Sequence, residues 1–199
     1  MTKAFLYKDL KAVIAYALIM LIVGLILTIA INGPGFSIII TLLASGLIFT
    51  SFSLDEKDGG LKEAVAIAGD RKKIITEKNL LSLIIIGIGA LFAFAFECLR
   101  GMISNTLSLN FSFLMALSSL ALGIIVCALS IPFIIAFGAE KTRLFMLLLP
   151  LIAVVVFQTH IDKEALNTGF ITLVLVLTAI VATPISFFLS NLIFKEKEF

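Results

Sequence analysis

Long apolar runs recur along this chain, and they constrain its fold more than any other feature. The runs cover residues 12–31, 36–54, 80–96, 111–137, 144–159 and 170–194. A helix needs roughly 20 predominantly apolar residues to cross the hydrocarbon core of a bilayer. Only 14% of the 199 residues are charged, whereas a soluble domain has about a quarter of its residues charged. The sequence therefore predicts an all-α, polytopic membrane protein with six transmembrane helices in a single domain, residues 1–199.

The basic residues predict how these spans are oriented, because cytoplasmic loops carry an excess of Lys and Arg. If the amino terminus is cytoplasmic, 13 of the 15 basic residues lie on the inner side and only Arg100 and Lys163 on the outer side. The inner set is Lys3, Lys8, Lys11, Lys57, Lys62, Arg71, Lys72, Lys73, Lys78, Lys141, Arg143, Lys195 and Lys197. We therefore expect a multi-pass protein of the plasma membrane with both termini in the cytoplasm.

Residues 1–11 have the pattern of a short amphipathic helix. Leu6 and Leu10 fall on one face at helical spacing, and three lysines lie on other faces. Such a helix suits the membrane interface, where lysines meet anionic headgroups. The alternative is an ordinary solvated segment that leads into the first span.

Residues 55–79 are the only long polar interruption of the chain and predict a cytosolic coupling loop. Residues 61–68 can form a short coupling helix that Gly69 ends. Asp70 is a suitable N-cap for a second helix that continues into the third span. Its first turn holds three cations, which oppose the helix dipole unless lipid phosphates or an acidic partner face them. The alternative is that these cations only anchor the loop on the inner side.

The residues expected to contact a partner follow from this loop. They are Asp55, Glu56, Lys57, Leu61, Glu63, Ala64, Val65, Ala68, Arg71, Lys72 and Lys73.

The chain lacks the motifs of catalysis and of nucleotide binding. It has no G-x-x-x-x-G-K-[S/T] loop and a single histidine, His160, so it matches neither a P-loop nor an H-E-x-x-H metal site. No catalytic residue, metal ligand or cofactor of its own is predicted. The predicted spans also lack a central carboxylate pair, which disfavours a proton- or sodium-driven transporter. Energy for transport would have to come from another chain.

Hydroxyl-bearing and small residues form stripes along several spans. Ser37, Thr41 and Ser45 repeat on one face of the second span, and Ser119 and Gly123 share a face of the fourth. Such stripes are typical of close helix packing, and they are also candidates for lining a substrate path.

Two charged residues lie near the outer end of the third span. Glu97 and Arg100 are three residues apart, the spacing at which helical side chains pair. A role toward the substrate or in gating is the alternative, since charges at membrane depth are often functional.

Three short segments resemble motifs of small ABC-2-type transporter permeases. Residues 7–11, Y-K-D-L-K, are similar to the K-D-L start of that family. Residues 51–57, S-F-S-L-D-E-K, resemble its S-F-x-x-D-E-K motif, and residues 71–78, R-K-K-I-I-T-E-K, resemble its R-K-x-I-x-x-x-K segment. The family usually has a proline three residues before that arginine, where this chain has Ala68.

The resemblance implies a permease that works with a separate ABC ATPase, which holds the ATP and Mg²⁺. Two permease chains and two ATPase chains would form one transporter. The compact six-helix form resembles permeases that export amphipathic, antimicrobial or cytolytic peptides, including bacteriocins, bacitracin-like compounds and phenol-soluble modulins. The competing interpretations are a secondary transporter and a membrane scaffold or sensor that holds a cytosolic partner without transport.

Overall fold

A computed structural model of the chain describes residues 36–57, 71–103, 108–142 and 168–196, together with residues 22 and 26. All of these except Ser108 and Gly138 are helical, which confirms the all-α prediction for the described part. Its long helices are α1 (Phe36–Lys57), α2 (Arg71–Ile103), α3 (Leu109–Phe137) and α4 (Thr168–Glu196).

Three segments within the described residues are long and apolar enough to cross a membrane. They are Lys73–Ile103, Leu109–Phe137 and Gly169–Lys195, and Leu43–Ser53 of α1 is a shorter apolar stretch. These helices correspond to the predicted spans 36–54, 80–96, 111–137 and 170–194. Four predicted elements lie outside the described residues: the helices 1–11 and 61–68 and the spans 12–31 and 144–159. Residues 22 and 26 of the span 12–31 are the exception. The total of six spans therefore stays a prediction.

Helices α1 and α2 are both longer than the predicted spans that they contain. Helix α2 begins at Arg71, as the sequence predicts, and continues past Phe96 to Ile103. Within this extension, Arg100 pairs with Glu97 at i,i+3 spacing, a contact that favours helix. Helix α1 extends through Asp55 and Glu56 to Lys57. Residues 55–57, which the sequence placed at the start of a loop, are therefore the last turn of a helix.

Helices α1 and α2 pack as an antiparallel pair. Near the start of α1, Ile40 clusters with Ala93 and Phe96 of α2. In the middle, a Cβ atom on Gly89 would lie 2.6 Å from the Cβ of Ala44. Glycine at position 89 therefore allows the two backbones to approach closely, as small residues do between membrane helices.

Helix α3 contacts each of the other three described helices. A Cβ atom on Gly123 would lie 2.7 Å from Thr41 Cγ2 of α1 and 2.8 Å from Ile86 Cγ2 of α2. On its other side, the Ser118 hydroxyl hydrogen-bonds to the Thr172 hydroxyl of α4 at 2.7 Å. The core that these contacts enclose is apolar and includes Ile48, Phe52, Leu81, Ile86, Cys127, Ile131 and Ile134.

Helix α4 exposes most of its apolar surface. Large side chains such as Phe170, Ile180 and Phe188 are exposed, whereas Ala179 and Ser190 are buried. In water such a surface would be costly, because each buried apolar side chain is worth about 1.5–3 kcal/mol. The surface fits the lipid phase of a membrane.

Candidate coupling site

Asp55, in the last turn of α1, contacts α2. Its Oδ2 lies 2.5 Å from Nζ of Lys78, and only 9% of the Asp55 side chain and 7% of the Lys78 side chain are exposed. Lys78 follows the first two turns of α2, so the pair joins the end of one helix to the start of the next. A pair buried to this degree is screened less by water and salt than a surface pair.

Lys78 makes two further contacts with α1. Its Nζ donates a hydrogen bond to Ser51 Oγ at 2.7 Å and lies 5.2 Å from the centroid of the Phe52 ring. Ser51 and Asp55 share a helix face because they are four residues apart. One α2 cation is therefore held by three α1 side chains, through an ion pair, a hydrogen bond and a cation–π contact.

Glu56 contacts a different neighbour. Its carboxylate accepts the backbone N–H of Ala139 at 3.0 and 3.1 Å. Ala139 begins the helical turn 139–142 that follows α3, so Glu56 satisfies an N-terminal N–H in the way that an N-cap side chain does. Its negative charge is also favourable at that end of a helix.

Gly138 makes this contact possible. It ends α3 with a φ of +91°, a conformation that residues with a Cβ rarely adopt. Its N–H donates to Ile134 O at 2.8 Å. A Cβ atom at position 138 would lie 3.3 Å from Glu56 Oε1, so glycine also leaves room for the carboxylate.

Together these contacts join three helix ends, and we call Ser51, Phe52, Asp55, Glu56, Lys78, Gly138 and Ala139 the helix-end cluster. Two adjacent acidic residues of α1 bind α2 and the turn after α3, respectively. These groups hold the helices together, and those of α1 and α2 lie on either side of residues 58–70 in the sequence.

A family model described as ABC-2 family transporter protein matches residues 4–195 of the chain. The chain belongs to the ABC-2 transporter family. This confirms the resemblance read from the three motifs. It makes the chain a multi-pass membrane component of a transporter, a permease, with the transport role of that family. No curated protein and no solved structure matches this chain.

In this ABC-2 permease, two of the motifs that suggested the family contact each other. Ser51, Phe52 and Asp55 belong to the motif at residues 51–57, and Lys78 ends the motif at residues 71–78. Sequence reasoning assigned Asp55 to a partner and Lys78 only to the inner-side charge, so it missed their pairing. It also missed Gly138 and Ala139, although a glycine directly after an apolar span is a common helix-end signal.

The other predicted partner-binding residues are placed as follows. Lys73 is exposed. Lys57, Arg71 and Lys72 lie within helices, but their side chains are outside the described part. Leu61, Glu63, Ala64, Val65 and Ala68 lie wholly outside it. Contact with an ATPase therefore stays a prediction for this permease.

The candidate substrate-path residues lie on α1 and α2. Arg100 donates a hydrogen bond to Glu97 Oε1 at 2.8 Å within α2, which confirms the predicted pairing. The side chain of Glu97 is 2% exposed and that of Arg100 is 21% exposed. Thr41 and Ser45 are buried, and Thr41 packs against Gly123. The side chain of Ser37 is outside the described part, and contact of any of these residues with a substrate stays a prediction.

Proposed function

We propose that this permease is the membrane subunit of an exporter that a separate ABC ATPase drives. We also propose that residues 58–70, with the ends of α1 and α2, form the docking site for that ATPase. The observation that supports this most directly is the buried Asp55–Lys78 pair. It closes the antiparallel helix pair at the point where residues 58–70 leave it, so a partner acting there would act on both helices.

Energy would enter through the partner, because the sequence carries no phosphate-binding loop of its own. The partner would hold ATP and Mg²⁺, as its P-loop chemistry requires. Residues 61–68 would lie in a groove of the ATPase, with Leu61, Ala64, Val65 and Ala68 on the contact face and Glu63 near it. Asp55, Glu56, Lys57, Arg71, Lys72 and Lys73 flank this segment. Asp55 is buried against Lys78, so the charges available to set register and partner choice are those of the other five residues.

The substrates we propose are amphipathic or cytolytic peptides, exported by a pair of permease chains. Glu97 supports a path for cationic groups near one end of α2. Its Oε1 binds Arg100, whereas its Oε2 has no hydrogen-bond partner among the described residues. A buried carboxylate oxygen of this kind can accept a bond from an ammonium or guanidinium group. Ser37, Thr41 and Ser45 would continue the path along α1 only if α1 and α3 separate during transport, because Thr41 and Ser45 are buried and Thr41 packs against Gly123.

Co-expression with a candidate ABC ATPase tests the proposal. The wild-type permease should co-purify with the ATPase, and proteoliposomes holding both should accumulate a labelled cationic amphipathic peptide only with ATP. A secondary transporter would accumulate the peptide with an ion gradient and no ATPase. A scaffold would bind the ATPase without accumulation. Either result would contradict the proposal.

The docking segment is tested by one apolar-to-charged substitution. Val65→Asp should reduce ATPase co-purification by about tenfold or more, because it places a charge in an apolar contact. Val65→Leu is the matched control and should bind the ATPase as the wild type does. Membrane insertion of both variants is checked by extraction and size-exclusion profile. An inserted Val65→Asp protein that binds normally would show that residues 61–68 are not the docking helix.

A further inference from the structure

The contacts of the helix-end cluster join helices of this chain to one another. Binding of a partner does not by itself require such contacts. We propose that Asp55, Lys78 and Glu56 are positioning residues that make α1, α2 and the turn after α3 move as one body when residues 58–70 are displaced. This inference rests on the proposed coupling function. It assigns these residues to the transmission of movement and not to ATPase affinity.

The first step is the closure of the helix pair. Asp55 precedes residues 58–70 and Lys78 follows them, and the two side chains form a buried pair. Without such a link, displacement of residues 58–70 could separate the ends of α1 and α2 and leave the rest of both helices in place. With the link, the same displacement would tilt both helices together.

The second step is the strength of that closure. Lys78 Nζ contacts Asp55, Ser51 and the Phe52 ring, all from α1. Separating the helices would break the buried ion pair, the Ser51 hydrogen bond and the Phe52 ring contact together, which is more costly than opening an exposed pair. The two helix ends therefore resist separation.

The third step extends the link to α3. Glu56 stands next to Asp55 on α1 and accepts the Ala139 N–H. A shift of the α1 end therefore pulls on the turn 139–142. This contact is weaker, since Glu56 is exposed to solvent, so it should be the first to loosen if the cluster is strained.

Spin-label distances test the link directly. In a background without Cys98 and Cys127, labels at Ser53 and Leu80 report the α1–α2 separation, and labels at Ser53 and Lys141 report the α1–α3 separation. Labelled protein is diluted with unlabelled protein so that distances between chains do not contribute. We compare the wild type with the double variant Asp55→Leu, Lys78→Met, which removes both charges and avoids leaving one buried alone.

The double variant should show a broadened α1–α2 distance distribution. The distribution of the wild type should stay narrow, both with the ATPase alone and with a non-hydrolysable ATP analogue added. ATPase co-purification should stay within about twofold of wild type, and ATP-driven peptide accumulation should fall at least about fivefold, the lower end of typical coupling effects. Glu140→Gln with Lys141→Met, which removes two exposed charges beside the cluster, is the control for accumulation and should leave it unchanged.

Glu56→Ala gives an independent test if the double variant fails to insert. It should broaden the α1–α3 distances and leave the α1–α2 distances narrow, and Glu140→Ala should change neither. If the inserted variants show the spin-label distance distributions and the ATP-driven peptide accumulation of the wild type, the inference is overturned. If the wild type itself fails to bind the ATPase, the proposed function fails, while the distance comparison without ATPase still decides whether the cluster links the helices.

Discussion

Two ion pairs that α2 makes have similar chemistry but connect very different parts of the molecule. Lys78 near the start of the helix pairs with Asp55 of α1, and both side chains are buried. Arg100 near its end pairs with Glu97 of the same helix. The first pair fixes one helix relative to another, whereas the second joins two successive turns of one helix. Among the described residues, the ionic link between α1 and α2 therefore lies at the end of α2 where residues 58–70 join it.

The largest expected effect concerns which side of the membrane each end faces. Single cysteines at Asp58 and Asp162, in a background without Cys98 and Cys127, report this in intact cells. A membrane-impermeant thiol reagent should label position 162 and spare position 58, because 13 of 15 basic residues then lie inside. Labelling at 58 would reverse the assignment and place the helix-end cluster at the outer surface.

Lys78→Met should be the most destabilising single change at the two ion pairs. It leaves Asp55 buried without its partner, a situation that costs about 3–5 kcal/mol. Unfolding in mixed detergent micelles, followed by circular dichroism, measures the free energy. Lys141→Met, an exposed lysine near the cluster, is the control and should cost less than about 0.5 kcal/mol. Equal losses for the two variants would mean that the buried pair does not hold α1 to α2.

Gly138→Ala should have an intermediate effect. The backbone of Gly138, with φ 91° and ψ 160°, is of a kind found almost only in glycine and costs a residue with a Cβ about 1–3 kcal/mol, and the added methyl group also crowds Glu56. Gly87→Ala is a matched control within α2, because a Cβ there meets nothing within 4 Å. The control should be neutral or stabilising by up to about 1 kcal/mol. The same unfolding assay compares the two, and a neutral Gly138→Ala would remove the requirement for glycine after α3.

Glu97→Gln should have the smallest effect on stability. The amide keeps an oxygen that can accept from Arg100, and it removes a buried charge whose desolvation is unfavourable. Its unfolding free energy should therefore lie within about 1 kcal/mol of wild type, while accumulation of a cationic peptide should decrease. A loss as large as that of Lys78→Met would show that the Glu97 carboxylate has an interhelical role after all.

Local features of the fold followed from the sequence, and the long-range contacts did not. The start of α2 at Arg71 and the Glu97–Arg100 pair depend on residues within one or two turns, so the N-cap signal of Asp70 predicted the first and helical spacing predicted the second. The Asp55–Lys78 and Glu56–Ala139 contacts depend on which helices become neighbours, and spacing does not encode that. A polar motif at the end of an apolar run is equally consistent with a partner surface and with an internal link. The structure shows the link for Asp55.

The separations of these contacts along the chain also set an order of assembly. The Ser51–Lys78 contact spans 27 residues, whereas Glu56–Ala139 spans 83. Because a chain is made from its amino terminus at about 5–20 residues per second, α1 and α2 can close on each other several seconds before the turn after α3 exists. The α1–α2 hairpin would thus enter the membrane with the Asp55–Lys78 ion pair already formed. The Glu56–Ala139 contact would form later, once residue 139 has been synthesised.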